Sequence, residues 1–349
     1  MKKILIAMAA IFGFATVSLA QTSFIATLQH EGEFTHYYGA GALKSAYDAA
    51  STGDIITLSP GTFSTPGTIN KGITLRGAGI EATEKTYISG ETTFASTDET
   101  MVITVEGIKF SSKTNIQNNS TGSGQGTIKL IKNTFQVLYA SVAGSYSTDR
   151  GPVVRIYNCA IYAGMIFNGN SHPDFLFYNS YVVTPHIDGS GFSETTTAFV
   201  NCIINCADWI IERAYFLNFY NSIFVWNTSW SGSNTSYLLP NTATCYNCLS
   251  INKSTLFNNL VSGGNNKTVA TAAEIFTTYT NSWKEGETFE LTGAAKEAYI
   301  GTDGTQIGMQ GGNYPYTTTV QYPVVTKFNA DAQTNKAGML NVEVEVDGK

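Results

Sequence analysis

A short phrase recurs along the middle of the chain, and its even spacing admits few folds: an apolar residue, any residue, Asn, then Cys, Ser or Thr. It occurs as Ile131-Lys132-Asn133-Thr134, Ile156-Tyr157-Asn158-Cys159, Phe177-Tyr178-Asn179-Ser180, Phe199-Val200-Asn201-Cys202, Phe219-Tyr220-Asn221-Ser222 and Cys245-Tyr246-Asn247-Cys248. Successive Asn residues are 25, 21, 22, 20 and 26 apart. A unit of that length cannot bury an apolar face alone and must stack on copies of itself. Each phrase reads as a strand, a sharp bend at Asn, which tolerates the left-handed backbone region, and a second strand. Stacking predicts a ladder of Asn133, Asn158, Asn179, Asn201, Asn221 and Asn247 whose amides bond to those above and below. The residue after Asn is always small, as an inward-facing column beside a bend requires.

The phrase thins out towards both ends. Upstream, Gly107 and Gly77 hold the bend position after Val102-Ile103-Thr104-Val105-Glu106 and Ile73-Thr74-Leu75-Arg76. Downstream, Ile307-Gly308-Met309 beside Gly311-Gly312 reads as a closing rung. About nine to eleven rungs are therefore expected between Ile55 and Gln310. Before them, Gly41 to Ala50 places Leu43, Ala46, Tyr47 and Ala50 on one helical face, so a short helix is expected to cover the open end of the coil and block edge pairing.

The N-terminus reads as a signal peptide: Lys2-Lys3, an apolar run from Ile4 to Leu19, and Ser18-Leu19-Ala20 with cleavage after Ala20. No later stretch is long and apolar enough to span a bilayer. Removing Met1 to Ala20 takes away two lysines and no acids, so the net charge of -6 becomes -8, which disfavours nucleic acid as a partner. Charged residues make up only 13% of the chain, the balance of a β-rich extracellular protein whose polar positions are mostly uncharged. Five cysteines leave at least one unpaired. Cys245-x-x-Cys248 lies in a strand context with no second such pair, so the cysteines read as small buried residues and not as a disulfide framework or zinc site.

Residues 42–50, the run Gly53-Asp54-Ile55-Ile56-Thr57-Leu58-Ser59-Pro60-Gly61-Thr62-Phe63 and Lys71-Gly72-Ile73-Thr74-Leu75-Arg76-Gly77-Ala78-Gly79 resemble the opening of the pectate-lyase-like superfamily of right-handed β-helices (the pectin lyase fold). Phe289-Glu290-Leu291-Thr292 and residues 301–308 are similar to the ending of its secreted bacterial members. The resemblance implies an all-β fold, a single right-handed parallel β-helix solenoid with a short N-terminal capping helix and an extended C-terminal tail. The expected organisation is a signal peptide over 1–20, an N-terminal segment over 21–40, the coil with its cap over 41–312 and a tail over 313–349. In that tail, Leu340 to Val346 alternates as a strand. The superfamily holds lyases, hydrolases, esterases and adhesins, so the fold does not choose among them. Its enzymes act on acidic polysaccharide in an outer groove, with Asp or Glu holding calcium and Arg or Lys taking a proton. None of their local active-site signatures matches here.

Two constellations carry chemistry. Counting back from the Asn of each rung sets Asp188 beside Asp208 and pairs Asp149 and Arg150 with Glu212 and Arg213, with His172, Asp174 and His186 in the same stretch. Asp188, Asp208, Arg213 and His172 are thus the candidate catalytic set, able to hold Ca2+ and a uronate or to act as acid and base. The plainer reading is turn residues and exposed ion pairs. The second constellation is aromatic. Tyr157, Tyr178, Tyr220 and Tyr246 precede the Asn and point outward if Ile156, Phe177, Phe199 and Phe219 point inward. With Trp209, Trp226 and Trp230 near by, this stripe suits stacking on sugar rings, or else cross-rung packing that stiffens the sheet. The expected function is a secreted or cell-surface protein that binds polysaccharide or cell-surface glycan, or plays a structural or adhesive role, through the outer face of the helix. The alternative is a polysaccharide lyase or glycoside hydrolase acting on an acidic polysaccharide.

Overall fold

The computed structural model describes residues 24–118, 126–142, 151–167, 174–183, 185–187, 196–206, 217–226, 239, 242–258, 260, 262–279, 282–317, 324–330 and 342–347. Two long sheets form the walls of a right-handed parallel β-solenoid, one of twelve strands and one of thirteen. In the first sheet the parallel strands run from Ile55–Leu58 to Ser262–Gly264, and in the second from Gly61–Ser64 to Lys267–Val269. Pairing is in register from rung to rung, for example Ile156↔Phe177, Phe177↔Phe199 and Phe199↔Phe219.

From Ile55–Leu58 to Thr244–Tyr246 the strands of the first sheet alternate. In Val153–Tyr157 and Asp174–Tyr178 the second and fourth residues are buried while the others face outward, the pattern of a half-buried strand. Its inward positions build a stack in which the Phe177 and Phe199 rings lie 4.5 Å apart and Phe199 and Phe219 5.0 Å apart, all nearly parallel. In its later rungs the second sheet does not alternate. Ile203–Cys206 and Ile223–Trp226 are buried at every position, because something covers its outer face as well.

That cover is the segment 272–317, here called the strap. Ile275, Phe276, Tyr279, Phe289, Leu291 and Met309 pack on Tyr181, Ile203, Ile223, Val225, Leu249 and Ile251 in a second apolar cluster outside the coil. The parallel strands end at Val269, and Ile307-Gly308-Met309, whose glycine-flanked apolar pattern suggested a closing rung, belongs to the strap instead. The coil therefore stops well short of Gln310.

At the other end, the helix Ala42–Ala49 buries Ala42, Leu43, Ala46 and Tyr47. Beyond it the first sheet is extended by an antiparallel hairpin, Ile25–His30 with Glu33–Tyr38, whose inner strand pairs antiparallel with Ile55–Leu58. Glu31 and Gly32 both have positive φ, 49° and 90°, the two-residue turn that right-twisted hairpins favour. Val324–Ala330 and Val342–Asp347 form a separate two-stranded antiparallel sheet. Among the described residues no helix is long and apolar enough to cross a membrane.

Candidate functional site

The bend between the sheets is held by two neighbouring columns with different tasks. The outer column is Gly107, Lys132, Asn158, Asn179, Asn201, Asn221, Asn247 and Asn265, every one at positive φ between 47° and 68°. Asn and Gly reach this region at little cost, and Lys132 occupies it by exception. The inner column is Asn133, Cys159, Ser180, Cys202, Ser222, Cys248 and Asn266. Asn133 belongs here because Ile131 pairs with Tyr157 and Thr134 with Ala160, so the bend of that rung falls on Lys132, one residue earlier than the phrase suggested.

The inner column links the rungs from within. Ser180 Oγ accepts from the Cys159 N–H at 3.1 Å and Ser222 Oγ from the Cys202 N–H at 3.1 Å. Asn266 Oδ1 accepts from the Cys248 N–H at 2.9 Å. All five cysteines are buried free thiols, and burial pushes Cys159 and Cys202 up to about 12.

Among the described residues no amide-to-amide bond joins the outer asparagines as a stacked ladder would; Asn158 alone reaches a neighbour in the column, the Asn179 main-chain carbonyl at 3.3 Å. Their amides grip the strap. The Asn179 amide nitrogen donates to the carbonyls of Met309 at 2.8 Å and Gly311 at 2.6 Å. Asn221 Oδ1 accepts from the Thr302 N–H at 2.9 Å, and the Gly308 N–H donates to the Asn221 carbonyl at 2.8 Å. Asn201 reaches the Gln306 carbonyl at 3.4 Å. Asn158, in the orientation its acceptors demand, donates to the Tyr314 carbonyl at 3.0 Å. The column is thus a rail of side-chain amides carrying a turn-rich backbone that runs back towards the first rungs.

Beside the rail, on the outer face of the first sheet, stand the four tyrosines in two groups separated by Val200. Tyr157 and Tyr178 stack at 5.1 Å, and Tyr314 of the strap meets both edge-on at 5.0 and 5.8 Å. Tyr220 and Tyr246 stack at 6.0 Å, with Tyr246 37% exposed. Tyr314 was not expected at this face; the Tyr314-Pro315-Tyr316 sequence shows an irregular segment but not where it lands. Trp226 does not join the stripe: it is buried in the second sheet, with the Lys253 ammonium 5.4 Å from its ring.

An ion cluster lies near the first tyrosine pair. Burial raises the Glu106 pKa, against Arg76, whose Nε is 3.5 Å from its carboxylate, and against Lys132. Burial likewise lowers the Lys132 pKa, against Glu106 and Glu81.

Asp188, Asp208, Arg213, His172 and Trp209 lie outside the described residues, as do Asp149, Arg150, Glu212 and Trp230. Asp174 is described, and its carboxylate accepts from the Thr196 N–H at 2.7 Å. Among the described residues no three His, Cys, Asp or Glu side chains come together as a metal ion would require. No protein-family model matches the chain, and neither a curated protein nor a solved structure does.

Proposed function

We propose that this chain is a secreted or cell-surface member of the pectate-lyase-like β-helices that binds glycan through the outer face of its first sheet. The observation that carries the reading is the outward pair Tyr220 and Tyr246, two stacked rings with the lower one open to solvent. Sugar rings present flat C–H faces that pack on aromatic faces, and aromatic contacts bring large apolar area with a polar handle. A rigid rung spacing holds the two rings in fixed array. Export through the N-terminal leader would place that face among extracellular polysaccharides.

The test is binding of the full chain to a panel of acidic and neutral polysaccharides, with product analysis run beside it. Tyr246→Ala and Tyr220→Ala should each weaken binding by about fivefold or more, the magnitude of a lost aromatic contact, while Tyr181→Phe, deep under the strap, leaves it unchanged. Release of unsaturated or reducing ends would overturn the reading in favour of a lyase or hydrolase. Binding indifferent to both tyrosines would remove its support.

A further inference from the structure

The amide rail is longer than the strap it carries. Over four rungs, Asn158, Asn179, Asn201 and Asn221 all hold strap backbone. The same column continues through Asn247 and Asn265, at φ 50° and 58°, but the strap has left it there. The Asn247 N–H is satisfied in the coil by the Gly264 carbonyl at 3.0 Å. Among the described residues neither side-chain amide has a hydrogen-bond partner, and the Lys267 ammonium has no anionic partner. In place of the strap is an open cleft of about 210 Å³ lined by Asn247, Asn265, Lys267, Tyr299, Ile300 and Ile307.

We infer that this cleft binds an acidic peptide segment from another protein. The occupant's class follows from what the rail already holds: polypeptide backbone, gripped through its carbonyl and N–H groups by asparagine amides one rung apart. Each Asn offers both a donor pair and an acceptor, so Asn247 and Asn265 meet a peptide backbone as the four amides above them do. Exposed Lys267 adds a cation that selects a carboxylate, and Ile300, 46% exposed, offers an apolar contact to a side chain. Tyr299, Ile300 and Ile307 of the strap line one side of the cleft, so an incoming segment would lie against it. The site adjoins Tyr246 but uses none of the rings of the tyrosine face, so its failure would leave the glycan reading untouched.

The probe is a fluorescein-labelled synthetic peptide with the sequence of residues 301–312, which contains the rail-binding backbone and one carboxylate, at Asp303. Anisotropy titration on the full chain should show saturable binding, since the covered part of the rail is already filled. Asn247→Gly with Asn265→Gly keeps the left-handed backbone and removes both amides, and should weaken binding by about tenfold. Asn265→Gly alone, at an exposed position, should show a smaller loss with an unchanged melting temperature. Lys267→Gln should weaken binding and flatten its salt dependence. Absence of saturable binding, or equal binding by these variants, overturns the inference. So does displacement of the peptide by a uronic acid tetramer that binds the same cleft more tightly, which would make the cleft a sugar subsite.

Discussion

Asn201 combines two demands that most residues cannot meet together. Its φ is 54° and its side chain, 1% exposed, is held against the strap. Asn201→Ala should cost about 2 to 3 kcal/mol, summing a left-handed backbone penalty of roughly 1 to 2 and a lost hydrogen bond of about 1. Asn201→Gly removes only the second and should cost about 1 kcal/mol, so urea midpoints should fall in the order wild type, Gly, Ala. Equal midpoints for the two variants would show that backbone conformation carries no weight there. A second residue-scale expectation concerns His30, whose Nδ1 lies 2.8 Å from Asp54 Oδ1. The hydrogen bond to Asp54 and then its charge raise the imidazole pKa. A raised folded pKa means that the tie contributes fully below the ordinary imidazole value of about 6.5 and is lost as pH rises through the folded value. An NMR titration of His30 should accordingly move to lower pH in Asp54→Asn.

At the scale of elements, the strap depends on close backbone approach at the rail. A side chain at Gly311 would overlap the Gln306 carbonyl oxygen and press on the Asn201 amide. Gly311→Val should therefore lift the strap from the rail. Limited proteolysis should then cut within 299–317 at concentrations that spare the wild type, while far-ultraviolet circular dichroism keeps its β signature. The contrast between coil and strap also marks how far the sequence is readable. The coil announces itself because the rungs from Asn158 to Asn265 solve the same bend problem with the same residue, and because Ile156, Phe177, Phe199 and Phe219 alternate with outward tyrosines. The capping helix is equally plain from Leu43, Ala46, Tyr47 and Ala50. The strap has no period, since each of its residues meets a different rung, and Ile307-Gly308-Met309 mimics a rung because it too is apolar beside glycines. Asn133 misleads for a local reason: Lys132-Asn133 places Asn one residue after the bend, where its amide does the inner column's work. It donates to the Val105 carbonyl at 2.8 Å and accepts from the Ile108 N–H at 3.0 Å. The tyrosine face is legible from period alone, but Tyr314 is not, because a contact made across more than a hundred residues leaves no local trace.

For the whole molecule, a stack of rungs is in principle a one-dimensional object whose parts feel only their neighbours. This one is closed on itself. The Tyr316 hydroxyl donates to Glu81 at 2.9 Å and Lys85 meets Glu285 at 2.8 Å, so residues made late clasp rungs made early. These contacts span up to 235 positions, and long-range closure of that kind is slow to form. The clasp can close only on a coil already wound, because its rail and its apolar seat are assembled from successive rungs. An open stack frays from whichever end is weaker; here, peeling the late rungs would drag on a strap anchored near the first ones. Turned into a buckled belt, the coil gains a cooperativity that nearest-neighbour stacking alone does not supply.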